Sequence, residues 1–314
     1  MVSVGVIANP ASGRDIRRLV AGASVFGNAD KAGMVYRLLA GLGATGVDRV
    51  LMMPATDGLS TTLRRHLHNA RNGLPVLQEL DMVLDGSAQD SLDAVHAMRE
   101  RGVRAIVVLG GDGTHRVVAK ACGEVPLCAI STGTNNAFPE LRETTVAGMA
   151  VGAVATERAG VLRRESALAV DGDLALVDVA VSRERFIGAR ALWRPEDVSE
   201  LFVTFANPAA VGLSAIAGAL EPLPRGGARG LHVRLGPGRT VTVPLAPGLV
   251  APVEVASHRV IERGEEIPLA PGMGTIALDG ERELERRGQS TSVRLIDGPL
   301  TIDIDATLAQ LPRA

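Results

Sequence analysis

"AIVVLGGDGTHRVVAKACG", residues 105–123, is the stretch that decides the fold. An apolar run from Ala105 to Leu109 stops on Gly110-Gly111-Asp112-Gly113-Thr114, and a helical pattern follows. A near-continuous apolar run is the mark of a strand covered on both faces, the kind that parallel sheets use. Glycines after such a strand let the backbone approach another group closely or adopt positive φ. The helix expected from about Thr114 presents unpaired N–H groups and the positive end of its dipole, a combination that holds anions and most often phosphate. A bare strand-to-helix turn is the plainer reading, but it leaves an aspartate among three glycines unexplained. Asp112 repels phosphate, so its carboxylate suits either Mg²⁺ or an attacking hydroxyl. Both roles belong to phosphoryl transfer, in which positioning and charge neutralisation do most of the work.

Working outward, the same alternation recurs on both sides. "SVGVIANPASG" (3–13) reads as a strand ending in a turn, residues 31–43 as a helix, and "VDRVLMMP" (47–54) as a strand closed by proline. Residues 87–102 read as a helix, with Ser87 and Asp90 spaced as in a capping box and Gly102 at its end. "PLCAIST" (126–132) is another buried strand. This rhythm predicts an open parallel sheet with helices on both faces. The strand ends in a second polar loop, Thr132-Gly133-Thr134-Asn135-Asn136, expected at the same carboxyl edge of the sheet, where open α/β sheets bind ligands. Taken alone, that loop also reads as an Asn-rich helix cap. After about 160 the pattern turns to short strands broken by Gly, Pro and charged turns, which predicts antiparallel β. The expected division is an α/β domain over 1–155 and a β domain over 156–314, a return of the C-terminal end to the first domain being left open.

Composition narrows the classes. A 314-residue chain with 46% hydrophobic residues supports two ordinary domains with a true core. Aromatics are 2%, so that core is built from Ala, Val, Leu and Ile. A net charge of −2 offers no basic surplus for nucleic acid or an anionic membrane. No apolar run reaches the roughly 20 residues that cross a bilayer, and no signal peptide is seen at Met1, so a cytoplasmic protein is expected. Cys122 and Cys128 have neither disulfide-framework nor zinc spacing and read as small buried side chains. "GLGATG" (41–46) matches a dinucleotide-binding pattern but follows a helix and precedes a strand, the wrong order. No Walker-type phosphate loop occurs.

The G-G-D-G-T loop after one strand and the G-T-x-N-type loop after the next resemble the ATP-NAD kinases and the diacylglycerol-type lipid kinases. Over about 80–155 the chain is most similar to the acetoin-catabolism protein X-like subgroup of the ATP-NAD kinases. The resemblance implies an α/β domain followed by an antiparallel β domain, with the active site between them. It implies ATP, with Mg²⁺, on Gly110, Gly111, Gly113 and Thr114, Asn9 near the phosphates, and Asp112 activating the 2′-hydroxyl of NAD to give NADP. It implies substrate contacts from Thr132, Gly133, Thr134, Asn135 and Asn136, and puts Asp178 at the place of a substrate-binding glutamate. Ser214 falls in a segment, "FVTFANPAAVGLSAIAG" (202–218), that resembles the family's NAD-contacting stretch. Its expected tyrosine is missing, the chain's only tyrosine being Tyr36, so a different acceptor stays open. The partner implied is a small nucleotide, with neither nucleic acid nor membrane, in a homo-oligomer. A lipid kinase and a non-catalytic nucleotide-binding protein on the same fold are the alternatives. "GTIALDGERELERR" (274–287) resembles the family's D-G-E element, but reads most simply as a type I′ hairpin at Asp279-Gly280 followed by a solvated face. His115 could touch phosphate when protonated, but reads more simply as a partly exposed helix-start residue. Arg14, Arg17 and Arg18 could clamp an anionic substrate, but read more simply as a surface helix face.

Overall fold

The computed structural model describes residues 1–9, 22, 24–55, 58–68, 73–187, 190–192 and 194–312. Its first half alternates strand and helix: β1 (Ser3–Ala8), α1 (Asn28–Ala44), β2 (Arg49–Met52), α2 (Leu59–His68), β3 (Val76–Glu79), α3 (Ala88–Glu100), β4 (Ile106–Gly110), α4 (Asp112–Ala121), β5 (Leu127–Ser131) and α5 (Thr144–Ala155). The five strands are parallel neighbours in the order β3-β2-β1-β4-β5. Because side chains alternate across a strand, each face needs its own cover. Val4, Val6, Val107, Leu109 and Ile130 pack under α1, α2 and α5 on one face. Ile7, Leu51, Ile106, Val108 and Leu127 pack under α3 and α4 on the other. Ser87 does cap α3, accepting from the Gln89 N–H. The capping box is not closed, however. Asp90 turns instead to the N–H groups of Asp85 and Gly86.

The second half is antiparallel: β6 (Leu162–Val170), β7 (Asp173–Ala175), β8 (Asp178–Ser182), β9 (Val198–Val203), β10 (Arg229–Ala246), β11 (Leu249–Glu262), β12 (Glu266–Pro268), β13 (Met273–Leu278), β14 (Glu281–Arg287) and β15 (Ser292–Ile302), with short helices α6 (Ser214–Leu220) and α7 (Ile304–Ala309). It does not form one sheet. Strand β15 lies beside β5, in parallel, and beside β6, antiparallel, so β15, β6, β7 and β12 extend the first sheet to nine strands. The second sheet has six, in the order β11-β10-β9-β8-β13-β14. The sheets face each other across Leu168, Val170, Val179, Val181, Phe202, Ile276, Leu278 and Leu295. This layering brings the start of β8, the end of β13 and the start of β14 up to the turn and helix that follow β4. Cys122 and Cys128 are free and buried, and burial pushes their thiols up to about 11 and about 12, so both are neutral packing groups. Among the described residues, no helix is long and apolar enough to cross a membrane.

Candidate active site

Strand β4 ends at Gly110, and Gly111 caps α4 with extended backbone (φ −97°, ψ −177°). None of Gly110, Gly111 and Gly113 has positive φ. The first two are needed instead because other groups crowd them. A Cβ on Gly110 would lie 2.7 Å from the Thr114 Cβ, and one on Gly111 would lie 2.9 Å from the Asn136 side-chain oxygen. Both distances are shorter than carbon contacts tolerate, so the strand-to-helix turn closes only without side chains there. Asp112 is the first residue of α4, where the helix dipole favours negative charge. Its carboxylate accepts the Phe138 N–H at 2.8 Å and the Ala137 N–H at 3.1 Å to each oxygen. Such charge-assisted bonds fix a carboxylate in place.

The loops meet from three directions. The Asn9 amide donates to the Thr114 hydroxyl at 3.1 Å, which ties the end of β1 to the G-G-D-G-T turn. Lys31, buried on α1, donates to the Asn9 carbonyl at 2.9 Å, and burial lowers its pKa to about 8. The Thr132 N–H donates to the Gly110 carbonyl at 3.3 Å, so the turns after β4 and β5 are joined directly. Within the second turn, Asn136 donates to the Ser131 hydroxyl at 2.8 Å and stands over Gly111. Thr134 accepts from the Ser24 N–H, and Gly133 forms a β-bridge with Val25. Thr134 and Asn136 thus spend these polar groups on shaping the loop, while Asn135 is half-buried beside them.

The third direction is the hairpin between β13 and β14. Asp279 (φ 52°) and Gly280 (φ 75°) are its two central residues, between the paired Leu278 and Glu281. Positive φ at both positions is the type I′ geometry read from the sequence. The flanking face is not the simple solvated surface expected, however. Glu281 reaches toward Gly113, where a Cβ would stand 3.8 Å from its carboxylate. Glu283 accepts from the Arg116 guanidinium at 2.8 Å. Asp279 is buried and accepts the N–H groups of Leu176, Val177 and Asp178, with Arg116 Nε 3.9 Å away. Burial pushes its carboxyl up to about 7. The Arg116 charge and the Val177 and Leu176 N–H groups pull the other way, and the nearby Asp112 charge adds to the rise. Asp178, buried at the start of β8, accepts the Gly280 N–H at 3.2 Å and so supports this turn from behind.

The structure therefore brings Asn9, Gly110–Thr114, Thr132–Asn136 and Asp178 to one place, with Lys31, Arg116, Asp279, Glu281 and Glu283 added to them. Ser214 lies elsewhere: it starts α6, which packs on β10 in the core of the second sheet. His115 is not partly exposed but fully buried, donating from Nδ1 to the Gly111 carbonyl at 2.8 Å. Burial pushes its pKa down to about 4, so it is neutral at pH 7 and offers no cation to phosphate. Arg14, Arg17 and Arg18 lie outside the described residues.

A glycine turn at a helix start, a carboxylate held among backbone donors and a facing hairpin rich in carboxylates thus meet at one end of the extended sheet. Residues 4–157 match the model of the ATP-NAD kinase N-terminal domain, and residues 161–297 that of the acetoin catabolism protein X C-terminal domain. The chain is 47% identical over 300 residues to acetoin catabolism protein X of Cupriavidus necator, covering 90% of this chain and 84% of that one. It belongs to the acetoin catabolism protein X family. A crystal structure of a diacylglycerol kinase from Bacillus anthracis str. Sterne aligns over 96% of each chain at 14% identity, with a TM-score of 0.47.

Proposed function

We propose that the protein transfers the γ-phosphoryl group of ATP to the 2′-hydroxyl of NAD, giving NADP and ADP. The observation that carries this reading is the Asp112 carboxylate, held by the Ala137 and Phe138 N–H groups at the start of a glycine-capped helix. The match to the ATP-NAD kinase N-terminal domain supports ATP as donor and NAD as acceptor. In this reading the N–H groups at the start of α4 and the Gly110–Thr114 backbone hold the phosphates. Asp112 orients the acceptor hydroxyl and takes its proton as the new O–P bond forms and the bond to the ADP oxygen breaks.

Mg²⁺ fits the side chains present. No three His, Cys, Asp or Glu groups among the described residues converge to hold a metal unaided. Mg²⁺ in phosphoryl transfer needs only one or two carboxylates beside phosphate oxygens and water. Glu281, facing Gly113, is such a carboxylate. When bound, the ion neutralises phosphate charge.

The test is to incubate protein, ATP, Mg²⁺ and NAD and read NADP with an NADP-specific dehydrogenase. Asp112→Asn is expected to lose about a thousandfold in kcat while its single amide oxygen keeps the Phe138 N–H bond and its unfolding temperature falls by only a few degrees. Wild type that forms no NADP overturns NAD as acceptor. A panel of other hydroxyl acceptors, diacylglycerol included, then identifies the substrate by ATP consumption. The segment "ANPAAVG" (206–212), within the stretch that lacks the expected tyrosine, makes that panel worth running.

A further inference from the structure

Arg225 comes from the loop between α6 and β10, far in sequence from the G-G-D-G-T turn, yet two contacts separate it from Asp112. Its guanidinium donates to the Phe138 carbonyl at 2.8 Å and to Glu165 at 3.3 Å. The same plane lies 4.7 Å from the centre of the Phe138 ring and 5.1 Å from that of Phe205. Phe138 is 1% exposed. Its ring and carbonyl are held by Arg225, and its N–H is the shortest bond to Asp112. Glu165, 2% exposed, anchors the arrangement from behind. It also accepts from the Arg163 side chain at 2.9 Å and the Thr301 hydroxyl at 2.7 Å, on β6 and β15.

We infer that Arg225 is a positioning residue for Asp112, a role that rests on the phosphoryl-transfer reading above. It sets the Phe138 backbone from which the catalytic carboxylate hangs. The chemistry explains why arginine stands here. A planar cation can lie against two aromatic faces while its edge donates to a carbonyl and a carboxylate in different directions. Lysine offers a point charge that can reach one acceptor but not satisfy the whole set. The effect is specific to the reacting geometry: none of these contacts touches the Gly110–Thr114 backbone that would hold ATP. Small displacements of a reacting group weaken catalysis strongly while leaving binding of the distal substrate intact.

The experiment uses the full chain with Arg225→Met and Arg225→Lys. Steady-state kinetics with ATP and NAD is combined with the ¹H–¹⁵N resonance of the Phe138 amide. Arg225→Met is expected to lower kcat by about tenfold or more, with the KM for ATP unchanged. Its Phe138 amide is expected to move in the direction seen in Asp112→Asn, where the charge-assisted bond is weakened. Arg225→Lys, able to keep the bond to the Phe138 carbonyl, should regain part of kcat and of the resonance position. A folded Arg225→Met with wild-type kcat and an unmoved Phe138 amide overturns the inference. So does a fall in kcat and a rise in KM with that amide unmoved, the signature of a merely structural clamp. If Arg225→Met fails to fold, Phe205→Leu takes its place, being expected to move the Phe138 amide and overturning the inference if it does not. If wild type phosphorylates no acceptor, the proposed function falls, while the amide response still decides whether Arg225 sets Phe138.

Discussion

Two turns face each other across the site, and they are built on different principles. Gly110–Thr114 joins a parallel strand to a helix with no glycine at positive φ, and it needs glycine because Thr114 and Asn136 press against it. Asp279-Gly280 joins two antiparallel strands with both central residues at positive φ, and it needs glycine for the backbone angle itself. The first turn opens a helix and sets the positive end of its dipole at Asp112. The second presents carboxylates: Asp279 is turned inward, and Glu281 is turned toward Gly113. The difference teaches that a turn's own geometry says what backbone it needs but not what it confronts. A hairpin can satisfy every rule of its type and still be shaped by what it faces.

The strongest way to break this pairing is Glu281→Gln. If the hairpin is a working half of the site, kcat falls by about a hundredfold and the Mg²⁺ concentration for half-maximal rate rises, with unfolding temperature unchanged. Unaltered kinetics would reduce the hairpin to scaffold. A second probe uses pH. The folded protein holds a proton on Asp279 up to about 7, whereas the unfolded chain releases it near 3.8. The folded state therefore binds more protons between those values, and the stability this group contributes falls as pH rises through that window. His115 runs the other way. Its folded pKa of about 4 lies below the ordinary 6.5, so stability is lost as pH falls from 6.5 toward 4. Asp279→Asn should remove the first trend, its unfolding temperature gaining several degrees on wild type between pH 5 and pH 8. Equal slopes would show that Asp279 is ionised throughout. The finest probe compares the two glycines. Gly111→Ala forces Asn136 aside and should lower kcat/KM for ATP along with a loss of about 1–3 kcal/mol. Gly280→Ala should cost about 1–2 kcal/mol of stability from its positive φ and act on kcat only through the set of Glu281.

The parts legible in the sequence were those whose physics is local. The run Ala105–Leu109, the glycines after it and the helix that follows all announce themselves within twenty residues. The parts that were not legible depend on partners far along the chain. Arg116 meets Glu283 across 167 positions and Arg225 meets Phe138 across 87, and nothing within either segment signals the match. Strand β3 has only four residues, with Val76 and Gln78 exposed at the sheet's edge, too short an alternation to read. Helix α2, "LSTTLRRHLH", buries only Leu59 and Leu63, so its apolar signal is thin. His115 misled for the opposite reason. A polar residue at a helix start is usually wet, but here Phe138, 5.8 Å away ring to ring, helps cover it.

One consequence of β15 concerns the order in which the chain is made. Its Thr301 pairs with Leu127 of β5, and its other edge pairs with β6, so a strand near the end of the sequence fills a slot between two strands made much earlier. On a ribosome, β1 to β5 can assemble with their helices while the inner edge of β5 still lacks its permanent neighbour. That bare edge is a template for any extended segment, including one from another nascent chain. Such long-range closure is slow compared with local pairing. The sheet that carries the Gly110–Thr114 turn is sealed only when residues 292–302 arrive, and shortening the chain before them would leave two adjacent strand edges open to aggregation.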